Sequence, residues 1–460
     1  MSSHLLTHWA PEDPDFWQRE GARIANRNLW ISIPALMLAF AIWLLWSVVV
    51  VNLDKVGFEL SKNQMFWLTA LPALSGATLR IFYSFLVPIF GGRKWTVIST
   101  LSLLVPAIGM GFALKDPSTS YEVLLVLALL CGLGGGNFSS SMANISFFFP
   151  KAKKGMATGL NAGIGNLGVS LTQFVVPLVI SGAMVGVGGD GLSFTAPDGS
   201  VKTLWLQNAG FVWVPFILIA SVAAWFGMND IADAKASFKD QAVIFKRKHN
   251  WLMCWLYIGT FGSFIGFSAG LALLTKSQFP DVNPTQYAFL GPLVGALTRP
   301  VGGWMSDKLG GAKVTLYTFV LMMLAVIGVM AFLPSDSGGG SFPAFLGMFI
   351  ALFALTGIGN GSTFRMIPVI FLTERQREAG QTPEAQRQAV LNGNKEAAAV
   401  LGFSGAIGAY GGFFIPKSFG TSLELTGGVS AALTGFIVFY LSCVLITWWF
   451  YARKGAEMPC

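Results

Sequence analysis

Acidic residues are missing from the interior of every long apolar run in this 460-residue chain. The nearest ones, Asp54, Glu122 and Glu396, stand at the ends of runs, and the three histidines (His4, His8 and His249) lie outside them. These absences exclude a proton relay of carboxylates or imidazoles at depth. They also leave no Ser/His/Asp or Cys/His set and no metal-ligand cluster inside the runs, so neither catalytic residues, nor metal, nor cofactor is expected. Cysteine is scarce. Cys131, Cys254, Cys443 and Cys460 show no metal or redox spacing, and the three within apolar runs read as small core-filling residues. Charge as a whole is sparse, at 11% of residues against 53% hydrophobic, where soluble domains carry about 25% charged residues. That excludes a soluble multi-domain protein and leaves a polytopic membrane protein, with the lipid bilayer as its surroundings. No basic face on a soluble domain is visible, so a nucleic-acid partner is not expected.

What is present are twelve runs long enough to span a bilayer, at roughly 30–52, 64–90, 95–114, 121–149, 155–187, 204–228, 251–275, 284–306, 312–333, 342–371, 395–415 and 428–451. The first begins too late, and is too long, for a cleaved signal peptide. With both termini in the cytoplasm, 20 of the 30 Lys and Arg fall in cytoplasmic segments and six in outer loops. This is the asymmetry the positive-inside rule requires. The net charge of +8 is then mostly a topology signal. The chain divides into a cytoplasmic tail (1–28), a six-helix bundle (29–228), a cytoplasmic linker (229–250), a second six-helix bundle (251–452) and a short cytoplasmic tail (453–460). The expected fold is an all-α membrane protein of two pseudo-symmetric bundles, monomeric in the membrane.

Two arginines interrupt this pattern. Gly76-Ala-Thr-Leu-Arg80 in the second run repeats as Gly295-Ala-Leu-Thr-Arg299 in the eighth, 219 residues later. Each arginine is followed at +11 by Gly-Gly (Gly91-Gly92, Gly310-Gly311), at +14 by lysine (Lys94, Lys313) and at +16 by threonine (Thr96, Thr315). Duplicated halves around a midplane site are a transporter architecture. Eleven helical residues rise about 16 Å, and the hydrocarbon core is about 30 Å thick. If the Gly-Gly turns mark the cytoplasmic surface, both arginines lie near mid-bilayer, facing each other across the pseudo-twofold axis. A charge there costs about 2.5–3.5 kcal/mol on insertion scales. Snorkelling is hindered by that depth. Bonding to carbonyls freed by Pro72, Pro88, Pro292 or Pro300 is the structural alternative. Anion binding is the functional one, because a guanidinium fork takes two oxygens of a planar oxyanion at once. Arg365 lies only six residues before its run ends, and snorkelling is the expectation there.

Two segments are rich in glycine: Gly159-Leu-Asn-Ala-Gly163-Ile-Gly165-Asn-Leu-Gly168 and Gly357-Ile-Gly359-Asn-Gly361-Ser-Thr-Phe364. They are poor helix formers by propensity, but in a membrane they permit close backbone approach. They read as packing seams, or as thin helices that rock beside a small site.

With these segments on view, the chain resembles the nitrate/nitrite porter family of the major facilitator superfamily. Gly303-Trp-Met-Ser-Asp307-Lys308-Leu-Gly310-Gly-Ala-Lys313 resembles the superfamily's inter-helix signature, whose first-half copy here has Pro88 in place of the aspartate. The two glycine-rich segments and Ser139-Ser-Ser-Met-Ala-Asn-Ile-Ser-Phe-Phe-Phe-Pro150 resemble the family's nitrate signatures. Trp9-Ala-Pro-Glu-Asp-Pro14 and Gly412-Phe-Phe-Ile-Pro-Lys417 fit as well, so the likeness covers nearly the whole chain. The resemblance implies that Arg80 and Arg299 are the substrate-binding pair. It also implies that Phe138 and Phe261 sandwich the flat anion, that Tyr257 hydrogen-bonds it, and that Asn166 is a polar residue near the site. Ala162 departs from the pattern by replacing a glycine. The charges at Arg365, Lys395 and Glu396 also depart from it and leave the coupling open.

The expectation is therefore a multi-pass cytoplasmic-membrane carrier, not an enzyme, that exchanges external nitrate for internal nitrite by alternating access. One-for-one exchange of monoanions moves no net charge, whereas anion uniport into a negative-inside cell costs about 2.3 kcal/mol per 100 mV. Proton-coupled nitrate symport, hooked on Glu396 beside Lys395, is the alternative. An anion channel or a membrane sensor is a remote third.

Overall fold

The computed structural model describes residues 4–182, 189–196, 199–232, 242–334 and 339–460. Part of the linker expected at 229–250 (233–241) lies outside the described residues. Eleven helical segments among the described residues are long and apolar enough to cross a membrane. The principal helices are α1 (Ala22–Trp43), α2 (Lys62–Phe90), α3 (Gly92–Leu101), α4 (Leu104–Ala113), α5 (Tyr121–Phe148), α6 (Lys151–Ile180), α7 (Val214–Gly227), α8 (Lys248–Tyr257), α9 (Ser263–Gln278), α10 (Leu290–Leu309), α11 (Gly311–Ala331), α12 (Phe342–Glu378), α13 (Pro383–Ala409), α14 (Gly411–Thr426) and α15 (Ser430–Thr447). Helix α10, which carries Arg299, is not among the eleven. It holds Arg299, Asp307 and Lys308 within 20 residues.

The chain forms two compact units. One comprises Met1–Lys235, Ser268–Leu293 and Phe419–Thr421, and the other Ala236–Phe267, Val294–Ser418 and Ser422–Cys460. In the first, the chain ahead of α1 is packed rather than loose. Strand β1 (Leu5–Leu6) pairs in parallel with a two-residue strand at Asp230–Ile231. The Trp9 indole donates to the Phe147 carbonyl at 3.1 Å. Trp17 joins Leu29, Ile33, Ile145, Phe148 and Phe149 in a buried cluster. Asp13 caps the helical turn that begins at Pro14, so helix starts well before the apolar run does.

Hydropathy marks only the part of a helix that sits in lipid, and several helices extend past it. The run expected to end at 371 continues as α12 to Glu378, and the run expected from 395 begins as α13 at Pro383 behind the Thr382 cap. Lys395 and Glu396 are therefore in mid-helix rather than at a helix start.

The 219-residue repeat is visible in the backbone. Gly91 ends α2 with φ 87° and Gly310 ends α10 with φ 91°. These left-handed values favour glycine, and in each case the next helix starts at once. The aspartate missing from the first copy is replaced in space. Asp230 accepts from the Arg93 N–H at 2.8 Å and pairs with the Arg93 guanidinium at 3.4 Å, placing a negative charge at the start of α3 where the helix dipole favours one. In the second copy, Asp307 pairs with Arg365.

Candidate anion-binding site

Each arginine is positioned by a glycine seam within its own unit. In the first unit, Gly76 on α2 and Gly135 on α5 make room for the Trp43 indole. A Cβ at either position would come within 2.6 Å of that ring. Trp43 is anchored there by its N–H, which donates to the Pro72 carbonyl at 2.7 Å. The indole in turn walls the Arg80 side chain, which is 1% exposed. The Arg80 guanidinium carbon lies 4.6 Å from the Phe138 ring centroid, 4.7 Å from Trp43 and 5.9 Å from Phe40. Its Nε donates to the Gly135 carbonyl at 2.8 Å. One arm of the fork is thus spent on backbone of a neighbouring helix, not on a carbonyl freed by a proline. Cation–π contacts of this kind support a desolvated charge by about 2 kcal/mol or more.

The second unit repeats the scheme with different aromatics. Gly295, the counterpart of Gly76, leaves room for Phe264, 2.8 Å from where its Cβ would be. Gly357 and Gly361 press α12 against α10: added Cβ atoms would come within 2.2 Å of the carbonyl oxygens of Gly295 and Arg299 respectively. Arg299 is 8% exposed. One of its terminal nitrogens donates to the Tyr257 hydroxyl at 3.5 Å, and its guanidinium carbon lies 5.2 Å from the Phe364 centroid. The other terminal nitrogen, Nη1, is buried with no hydrogen-bond partner. No carboxylate pairs with Arg299 among the described residues. A buried charged donor in this condition is rare and calls for an acceptor.

Of the other expected residues, Phe138 meets Arg80 directly. Phe261 stacks on Tyr257 (5.5 Å, 21°). Asn166 on α6 is buried, with its Oδ1 unbonded. The two glycine-rich segments divide by environment. Gly165 and Gly168 pack against Leu36 and the Met37 carbonyl, and Gly359 against Thr260 and Thr318, whereas Gly159 and Gly163 have nothing within 4 Å of an added Cβ.

The charges weighed for coupling lie elsewhere. Arg365, expected to snorkel, is half-exposed and paired with Asp307. Lys395 is exposed. Glu396, 5% exposed, does not pair with its neighbour. Instead it is held by Arg375, whose Nε donates at 2.8 Å, and by Arg247 at 3.3 Å.

The sequence reading missed Phe40, Trp43, Gly135 and Phe364. A signal for Phe364 existed. Gly-Asn-Phe at 136–138 and Gly-Asn-Gly-Ser-Thr-Phe at 359–364 each end on the ring under an arginine. Trp43 and Phe40 offered no comparable motif among 15 Trp and 39 Phe.

The major facilitator superfamily model matches residues 31–382. The chain is 54% identical to the nitrate/nitrite transporter NarU of Salmonella typhimurium over 98% of its length and 97% of that protein. It is 44% identical to the probable nitrate/nitrite antiporter NarK2 of Thermus thermophilus, covering 99% and 98%. A crystal structure of a bacterial homologue of the human lysosomal transporter Spinster, inward-facing and occupied, superimposes with a TM-score of 0.57 at 14% identity, over 91% of this chain and 95% of that one; at that identity it speaks for the fold alone. A repeated arginine on repeated glycine seams, a family match over most of the length and full-length relatives named as nitrate/nitrite transporters converge: the chain belongs to the nitrate/nitrite porter family of the major facilitator superfamily.

Proposed function

We propose that this protein carries nitrate and nitrite across the cytoplasmic membrane as a multi-pass secondary transporter, and that it does so by one-for-one exchange. The observation that carries the reading is Arg299, a buried guanidinium with one unpaired arm and no carboxylate against it among the described residues. Such a group is completed by a small oxyanion, and Tyr257 adds a hydroxyl donor beside it. Arg80 is the corresponding group of the other repeat. The assignment of both to substrate rests on the sequence repeat and on the relatives' names.

Exchange follows from electrostatics. A cationic site without its own acid favours an occupant, so the loaded carrier reorients more readily than the empty one. Glu396, the residue on which proton symport would hang, is engaged by two arginines, which supports a structural role for it. The same reading has twelve spans, including α10, and two six-helix bundles (29–228 and 251–452) joined by the segment 229–250. Both termini lie in the cytoplasm, and the working unit is a monomer.

Proteoliposomes loaded with nitrite are expected to take up labelled nitrate at a rate that scales with internal nitrite, while empty vesicles take up little. Equal uptake into both would remove the exchange mechanism but leave transport standing.

A further inference from the structure

Asn360 has no assigned role, yet it is a buried polar group next to Gly361, which packs on the Arg299 carbonyl. It is 2% exposed. Its Oδ1 is buried without a hydrogen-bond partner, and its carboxamide makes no hydrogen bond to the described residues. Buried amides are nearly always paired, and leaving one unpaired is costly.

Its direction follows from its neighbours on α12. Gly359 and Thr363 face the turn at Ile258–Gly262: a Cβ at Gly359 would lie 2.7 Å from the Thr260 methyl, and the Thr363 and Thr260 hydroxyls are 3.2 Å apart. Gly357 and Gly361 face α10. At about 100° per residue, positions 360 and 364 fall on the arc between these two faces. Phe364 shows what that arc looks into, with its ring 6.5 Å from the Tyr257 ring and 5.2 Å from the Arg299 guanidinium carbon. Asn360 stands one turn before Phe364 on the same stripe. Gly361, the next residue, sits against the Arg299 carbonyl, so Asn360 is level with that arginine.

We propose that Asn360 contacts the transported anion and favours nitrate over nitrite. This rests on the nitrate/nitrite reading of the Arg299 site. The guanidinium fork takes two oxygens of either anion. Nitrate has a third oxygen to accept an N–H from the Asn360 amide, and nitrite has none. The amide N–H donors, which meet no acceptor among the described residues, gain one when nitrate is bound, and nitrite offers them none.

The test measures binding of each anion to the purified full-length protein in detergent, together with its melting temperature without anion, for wild type, Asn360→Ala and Asn360→Leu. Leucine keeps the branched four-atom shape and removes the polar group, which keeps the test open if alanine fails to fold. The expected result is a loss of nitrate affinity of about tenfold, a loss of nitrite affinity under about threefold, and no fall in anion-free melting temperature for Asn360→Leu. An unchanged nitrate-to-nitrite affinity ratio in a folded variant overturns the proposal. So does a melting temperature that falls in Asn360→Leu with both affinities intact, which would mark a purely structural amide. If wild type binds neither anion, the reading of the site itself fails instead, and the two failures are distinct.

Discussion

A guanidinium enclosed by aromatic rings keeps its charge because those rings replace part of the lost hydration, and its planar shape is what lets it fit among them. Lysine would retain the charge of Arg80 but lose the Nε bond to Gly135 and the flat contact with Phe138 and Trp43. At Arg299 it would lose the fork itself. A hydrogen bond to a charged group is worth about 1.5–3 kcal/mol, so Arg80→Lys and Arg299→Lys are each expected to weaken nitrate binding by about 10- to 100-fold without preventing membrane insertion. Binding isotherms on the purified variants check this, and wild-type affinity in both would refute the role given to the arginines. These two residues were legible in the sequence because a charge in an apolar run is costly and because the repeat marks them twice. Trp43 and Phe40 were not. An aromatic residue in a membrane helix is ordinary, and only the hollow made by Gly76 and Gly135 shows what Trp43 does.

At the scale of helices, glycine determines how closely the arginine-bearing segments are held. Gly361 and Gly159 come from similar glycine-rich segments, yet they meet different surroundings. A methyl group at Gly361 would press on the Arg299 carbonyl oxygen and the Gly303 nitrogen, both backbone atoms that cannot turn aside. One at Gly159 meets nothing. Gly361→Ala is therefore expected to lose about 1–3 kcal/mol of stability through overpacking, while Gly159→Ala loses none and gains helix propensity. Thermal unfolding in detergent separates the two cases, and equal melting temperatures would contradict the seam. Composition announced that glycine mattered here. It did not say which glycines bear against a neighbour, because that depends on which face of each helix points inward. Helix ends were poorly legible for a similar reason. Hydropathy reports the lipid-facing part, and α12 and α13 continue past it into an ionic cluster around Glu396 and Arg247.

On the scale of the whole molecule, both chain ends are tied to segments at helix termini. Glu457 pairs with Lys248 at 2.6 Å, its carbonyl accepts from Arg377 at 2.6 Å, and the Cys460 carbonyl accepts from the Ala312 N–H. His4 and Leu6 bond across to the segment after α7. If those termini are cytoplasmic, a cysteine placed at Gly380, with Cys460 changed to serine, is expected to resist a membrane-impermeant thiol reagent in intact cells, while one at Ser118 reacts. The opposite pattern would invert the topology. The aromatic enclosure of Arg80 also bears on how the protein is made. Phe40 and Trp43 leave the ribosome before Arg80, but Phe138 and the Gly135 carbonyl follow more than 50 residues behind it. During that interval α2 must enter the bilayer with its charge half-sheltered. Nascent chains stopped after α2 should hesitate at the translocon, and lengthening them through α5 should release them.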